Sequence, residues 1–281
     1  MNKKYQIVIF GATGFTGELC VKYMSEKYPD VSIAIAGRNK EKLEMVRSRH
    51  GLSCPIVVAD AFDVEALDKM CQDAEVILST AGPYHKYGSD LVRSCVNAGC
   101  HYVDITGESF WIRDQIEKHH KDAEAKGVRI INACGFDSAP SDLGVFYAVN
   151  KVVGEVESVH CFQAWKGESS GGTMETMFSS VDAKLTKGGL GKFSLNPENT
   201  VSVHQKKMTN DKIKIKKIPH IGGWTGPFIM ALPNTRVVRR SAALSKKIGK
   251  YYGENFVYSE GAYYSNKGAA RKVSIMTLVL G

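Results

Sequence analysis

Seven residues near the amino terminus, Gly11-Ala12-Thr13-Gly14-Phe15-Thr16-Gly17, have the types and spacing of a phosphate grip. The pattern is G-x-x-G-x-x-G rather than G-x-G-x-x-G, but the physical needs are shared. Gly11 permits a tight turn, Gly14 lets a diphosphate approach the backbone, and Gly17 lets the following helix lie close on a sheet. The main-chain amides where that helix opens, at Phe15 and its neighbours, hold phosphate oxygens with help from the helix dipole. The hydroxyls of Thr13 and Thr16 add donors. The choice of nucleotide is made about twenty residues further on. An NAD site carries a carboxylate there for the ribose 2′-hydroxyl; this chain has Gly37-Arg38-Asn39. The Arg38 guanidinium can fork onto a 2′-phosphate, with Lys40 and Lys42 in support, so NADP(H) is expected ahead of NAD(H). Asp60 is expected beside the adenine, with helix capping as its alternative task. Ala81 and Gly82 are small enough to leave room for the second ribose and the nicotinamide.

Proton-transfer candidates follow the fourth, fifth and sixth expected strands: Gly82-Pro83-Tyr84-His85-Lys86-Tyr87-Gly88, Asp104-Ile105-Thr106-Gly107-Glu108 and Gly135-Phe136-Asp137-Ser138. Tyr84, Asp104 and Asp137 are the expected catalytic residues, with Glu108 also able to carry a proton. Capping and loop structure are the competing tasks for each, and Ser141-Asp142 reads as a helix start. Tyr147-x-x-x-Lys151 matches the acid pair of short-chain dehydrogenases and defines an alternative active site. Against it, Ser138 lies only nine residues before Tyr147, and Tyr147 belongs to an apolar helix. His101 is expected to be structural. No metal site is expected.

These residues need a scaffold. Apolar runs at 6–10, 31–36, 56–59, 76–80, 101–105 and 128–132 alternate with helical stretches at 15–28, 40–49, 64–71, 88–98 and 110–126. Gly99 and Gly127 stand where helices should stop. That alternation predicts an α/β fold with a Rossmann-type, doubly wound parallel sheet over residues 1–135. A second, α+β domain is expected over 136–281, for substrate binding or dimerisation. It contains a helix at 141–151, strands at 155–165 and 200–204, the alternating Ile213–Lys216, and glycine pairs at 171–172, 188–189 and 222–223. The apolar run Ser274–Leu280 ends at Gly281, which reads as a chain cut short, with an incompletely covered core.

The 281 residues are 43% hydrophobic, enough for two cores. No signal sequence or run of 18 apolar residues is present, so the protein is expected to be intracellular and cytoplasmic. The seven cysteines form no C-x-x-C and read as buried free thiols. Charge is uneven: residues 201–281 carry a net +12 and the remainder −4. A basic segment of this kind suits an anionic lipid or membrane surface, or simply a solvated lysine-rich face. A small-molecule substrate is expected, with no nucleic-acid partner.

As a set, Gly11–Gly17, Ala36-Gly-Arg38, Gly82-Pro-Tyr84, Tyr102-Val-Asp104-Ile-Thr-Gly-Glu108 and Gly135-Phe-Asp-Ser-Ala-Pro-Ser-Asp142-Leu-Gly144 resemble the saccharopine dehydrogenase-like oxidoreductases, also described as trans-acting enoyl reductase-like. Gly171-Gly-Thr173 and the segment Pro227–Arg240 are similar more loosely. The resemblance implies NADP(H)-dependent reduction of a C=C or C=O group in a hydrophobic or lipid-linked substrate. It also implies association with lipid droplets or membranes; a homodimer is a separate expectation. The other outcomes are a nucleotide-binding lipid-surface protein with little catalysis, and a short-chain reductase using Tyr147 and Lys151.

Overall fold

The computed structural model describes residues 3–164, 191–211, 213–245, 249 and 252–272. They fall into two compact units, one ending at Gly135 and one beginning at Phe136.

The first unit is a six-stranded sheet with every pairing parallel. Its strands are β1 (Tyr5–Phe10), β2 (Ile33–Gly37), β3 (Ile56–Val58), β4 (Ala74–Ser79), β5 (His101–Asp104) and β6 (Ile130–Ile131). The order is β3-β2-β1-β4-β5-β6, so the winding reverses between β1 and β4. Helices α1 (Phe15–Lys27), α2 (Lys40–Arg49), α3 (Val64–Asp73), α4 (Tyr84–Tyr87), α5 (Ser89–Ala98) and α6 (Ser109–Ala125) connect the strands. All five residues of β2 are buried, as expected for a strand covered on both faces. One cluster packs Ile9, Val21, Ile35, Leu43 and Val46 between sheet and helices. Each large side chain buried there is worth about 2 kcal/mol. α2 starts where its sequence says, because the Asn39 side chain accepts from the Lys42 amide at 2.8 Å.

The second unit is α+β. Strands β7 (Ser158–Gln163), β8 (Lys216–Lys217), β9 (Trp224–Gly226) and β10 (Val257–Tyr264) lie in the order β7-β10-β9-β8. The β7–β10 pairing is parallel and the other two are antiparallel. Its helices are α7 (Ala139–Val149), α8 (Val203–Met208) and α9 (Ala231–Ser245). Val145, Val149, Val238, Tyr252, Phe256 and Tyr258 form its apolar core.

Two expectations are corrected here. The segment 200–204 is not a strand: Ser202 accepts from the Gln205 amide while the Gln205 side chain bonds back to Ser202, and this reciprocal cap starts α8. The thiols are not uniformly buried: Cys71, Cys95 and Cys100 are, but Cys134 is exposed. The glycine pairs at 171–172 and 188–189, the Gly171–Thr173 similarity and the 274–280 run lie outside the described residues. Among those residues, no helix is long and apolar enough to cross a membrane. No cluster of three or more His, Cys, Asp or Glu among them is arranged for a metal ion.

Candidate functional site

β1 ends at Phe10 and the chain turns at once. Gly11 takes φ +85°, a left-handed conformation that suits glycine. A side chain there would stand 3.0 Å from the Ala81 nitrogen and the Thr80 hydroxyl. The Thr80 hydroxyl lies 3.2 Å from both the Phe10 and Gly11 carbonyl oxygens, so the end of β4 is stitched to the turn after β1. Sequence reasoning missed Thr80, which is separated from the turn by nearly seventy residues. Gly17 is needed for packing, because a Cβ there would lie 2.2 Å from the Gly11 carbonyl oxygen. Gly14 is different. Its φ of −80° suits any residue, and a Cβ would meet only the Gly11 oxygen, at 3.4 Å. The protein's own packing does not require glycine at position 14.

Gly14 is the N-cap of α1 and no side chain caps it. The first main-chain bond of the helix runs from the Glu18 amide to the Gly14 carbonyl at 2.8 Å. The amides of Phe15, Thr16 and Gly17 therefore precede the helical ladder and have no acceptor within it. Thr13, Gly14 and Phe15 are exposed, Phe15 to 74%. Such a turn presents donors and a positive dipole end to an anion.

Arg38 follows β2 on the same sheet edge, is exposed, and has no ion pair among the described residues. Lys40 is turned to Glu44 at 4.0 Å. Asp60 lies past the end of β3, where its carboxylate accepts from the Phe62 amide at 3.0 Å. The cap of α3 is Asp63, which accepts from Ala66, so capping is not the task of Asp60. Ala81 and Gly82 leave β4 beside Gly11, and a cis peptide joins Gly82 to Pro83.

Of the three expected catalytic residues, Tyr84 and Asp104 lie in the first unit and Asp137 in the second. Tyr84 is buried, and its hydroxyl donates to the Ser79 carbonyl at 3.0 Å. Burial, with the Asp104 carboxylate nearby, pushes its phenol well up. Asp104 is also buried, and its oxygens accept from the Thr106 and Ala133 amides and the Asn132 side chain at 3.1, 3.0 and 2.7 Å. Burial raises its carboxyl to about 6. The bonds to Asn132 and Ala133 join β5 to the chain leaving β6, where Ala133 takes φ +59°. Asp137 is exposed and belongs to the second unit.

Glu108, a proton-transfer candidate in the sequence, lies beside Tyr84 and pairs with His85, a pairing the sequence did not reveal. The Glu108 side chain, 1% exposed, accepts from the Tyr84 and His85 amides at 2.7 and 2.8 Å, and holds His85 Nδ1 at 2.6 Å. The His85 ring rests 5.6 Å from that of Phe110.

The short-chain arrangement does not assemble. The buried Ser138 hydroxyl donates to Asn234 at 2.8 Å, and the Lys151 ammonium sits over the Tyr147 ring at 5.3 Å on α7. His101 is structural, accepting from the Arg129 amide at 3.0 Å.

Residues 7–131 match the family model of the saccharopine dehydrogenase NADP binding domain. The chain is 36% identical over 291 aligned residues to a Mycobacterium tuberculosis protein provisionally named a trans-acting enoyl reductase. That match covers 98% of this chain and 68% of the relative. It is also 36% identical to the trans-acting enoyl reductase of Mycobacterium leprae, covering 92% of this chain and 65% of that protein. The chain thus spans about two thirds of the length of these relatives. Among solved structures, apo saccharopine dehydrogenase (L-Glu forming) from Saccharomyces cerevisiae aligns at a TM-score of 0.45 and 18% identity, over 53% of this chain and 31% of that one.

Proposed function

Because this chain belongs to the saccharopine dehydrogenase-like family that includes the trans-acting enoyl reductases, we propose that it is an NADP(H)-dependent reductase acting on a C=C or C=O group of a hydrophobic, lipid-linked substrate. One observation carries the cofactor assignment. The turn after β1 offers uncapped amides at Phe15, Thr16 and Gly17, next to a glycine at position 14 that internal packing does not demand. An external group that comes close to the backbone explains that glycine.

The residues fit the cofactor along its whole length. The Phe15–Gly17 amides and the Thr13 and Thr16 hydroxyls take the diphosphate. Arg38, exposed and without an ion pair among the described residues, takes the 2′-phosphate, a bidentate contact that an acidic residue would forbid. Asp60 lies toward the adenine, and Ala81 and Gly82 leave space for the nicotinamide half. The bound nicotinamide supplies or accepts a hydride; the protein supplies binding, orientation and a proton. Tyr84 and Asp104 brace the chain leaving β4, β5 and β6 through the bonds to Ser79, Thr106 and Ala133.

Calorimetry with NADP+ and NAD+ tests the cofactor, and absorbance of NADPH during incubation with a long-chain 2-enoyl thioester tests the reaction. NADP+ is expected to bind at least tenfold more tightly than NAD+, and NADPH is expected to be consumed only with the thioester present. No heat with either nucleotide rules the assignment out.

A further inference from the structure

The pair His85–Glu108 is not explained by nucleotide binding. Its position is informative. Arg38 past β2 and Asp60 past β3 draw the adenosine half of the cofactor to one side of the β1 turn. The other half must then run across the exits of β4 and β5, since the winding reverses between β1 and β4 and ligands cross the crevice there. His85 lies six residues beyond the end of β4, and Glu108 four beyond the end of β5.

Their bonding is also informative. Glu108 is fixed from three sides: the Tyr84 and His85 amides and the imidazole all bond to its oxygens, while its own amide donates to the Thr106 hydroxyl at 3.1 Å. The His85 side chain is 16% exposed. Its Nε2 has no protein partner among the described residues, and it is not among the buried unpaired atoms. A carboxylate on Nδ1 holds the proton there and leaves Nε2 as the atom that gains and loses one.

Granted the cofactor and reaction proposed above, we propose that His85 is the proton donor of the reduction and that Glu108 is its positioning residue. The imidazolium Nε2–H bond breaks and its proton goes to the substrate carbon or oxygen, while hydride from the reduced nicotinamide goes to the other atom of the double bond. The substrate gains two electrons, the nicotinamide loses two, and water reprotonates the imidazole.

The test reads His85 directly and needs no substrate. The intact chain, labelled with 15N-histidine, is compared by NMR when saturated with NADP+ and then with NADPH at one pH; His85→Gln assigns the resonance. The oxidised ring carries a positive charge that the reduced ring lacks. The His85 ring 15N resonances are therefore expected to lie at different positions in the two complexes. The titratable groups around α4 are Tyr84, Lys86 and Tyr87 on it, Glu108 before α6, and Asp90 and Arg93 on α5. Glu108 is the one bonded to the ring, and Asp90 and Arg93 pair with each other at 3.5 Å. Glu108→Gln should move the His85 Nδ1 resonance in both complexes and keep the difference between them. Binding of both nucleotides with identical His85 resonances overturns the donor role while the cofactor assignment stands. Failure of the unaltered chain to bind either nucleotide overturns both.

Discussion

A methyl group on Gly17 would stand 2.2 Å from the Gly11 carbonyl oxygen, whereas one on Gly14 would stand 3.4 Å from the same atom. Two glycines of one motif therefore answer to different demands. Gly17→Ala must push α1 off the turn and should cost about 1–3 kcal/mol, read as a lower denaturant midpoint. Gly14→Ala keeps an ordinary φ and should change stability by less than about 0.5 kcal/mol. It should nevertheless weaken NADP+ binding, because its methyl group faces the approaching phosphates. Equal effects of both substitutions on folding would show that position 14 is held by packing after all.

Arg38 separates the two nicotinamide nucleotides. Arg38→Asp removes a charged hydrogen-bonding group worth about 1.5–3 kcal/mol to a phosphate and adds an acceptor for a ribose hydroxyl. The Kd for NADP+ should rise at least tenfold, and that for NAD+ should hold or fall. Parallel losses for both would place Arg38 on the diphosphate instead.

Much of the first unit is written locally. Asn39 marks the start of α2 and Arg49 its end, and the helix spans Lys40–Arg49 as its sequence suggests. The glycine turn is legible for the same reason: a strand, three glycines and a helix follow within two dozen residues. The pairing of His85 with Glu108 carries no such signal. The two are 23 residues apart, and it is the register of β4 on β5, with Ser79 opposite Asp104, that brings their loops together. α9 was hidden for another reason. Its buried face takes in Asn234, Arg236 and Arg239, so no apolar stripe marks it. Those polar groups are acceptable inside only because distant partners meet them, and distant partners have no local spacing.

Asp211 is one such partner. It bonds Arg236 at 2.7 Å and Arg239 at 2.6 Å, and both arginine side chains are 3% exposed. Burial alone would raise its carboxyl, but the two guanidinium groups outweigh that and hold it below the usual range. Asp211→Ala would leave two buried cations without their carboxylate. A loss of about 3–5 kcal/mol is expected, measured by urea unfolding. Restoring stability by also changing Arg236 and Arg239 to Met would show that the stranded charge, rather than lost packing, is the cause.

Asp104 gives the fold a pH dependence opposite to that of most acid-labile proteins. Its carboxyl rises from 3.8 to about 6 because burial opposes the charge more than its three hydrogen bonds support it. The native state therefore holds this proton more tightly than the unfolded chain does. The resulting stability is fully present below pH 3.8 and is lost as pH rises through about 6, a change of roughly 3 kcal/mol. Asp142, also raised to about 6 by burial, acts in the same direction, while Glu18 and Asp211, both lowered, act against it. The total slope is thus a balance, and the useful quantity is a difference. Asp104→Asn keeps an acceptor for the Thr106 and Ala133 amides, and Asn132 can turn its amide to meet the new donor. This variant should unfold at a similar urea concentration near pH 4 and be more resistant than the unaltered chain at pH 7. If the two midpoints run parallel across that interval, Asp104 is not the group that titrates.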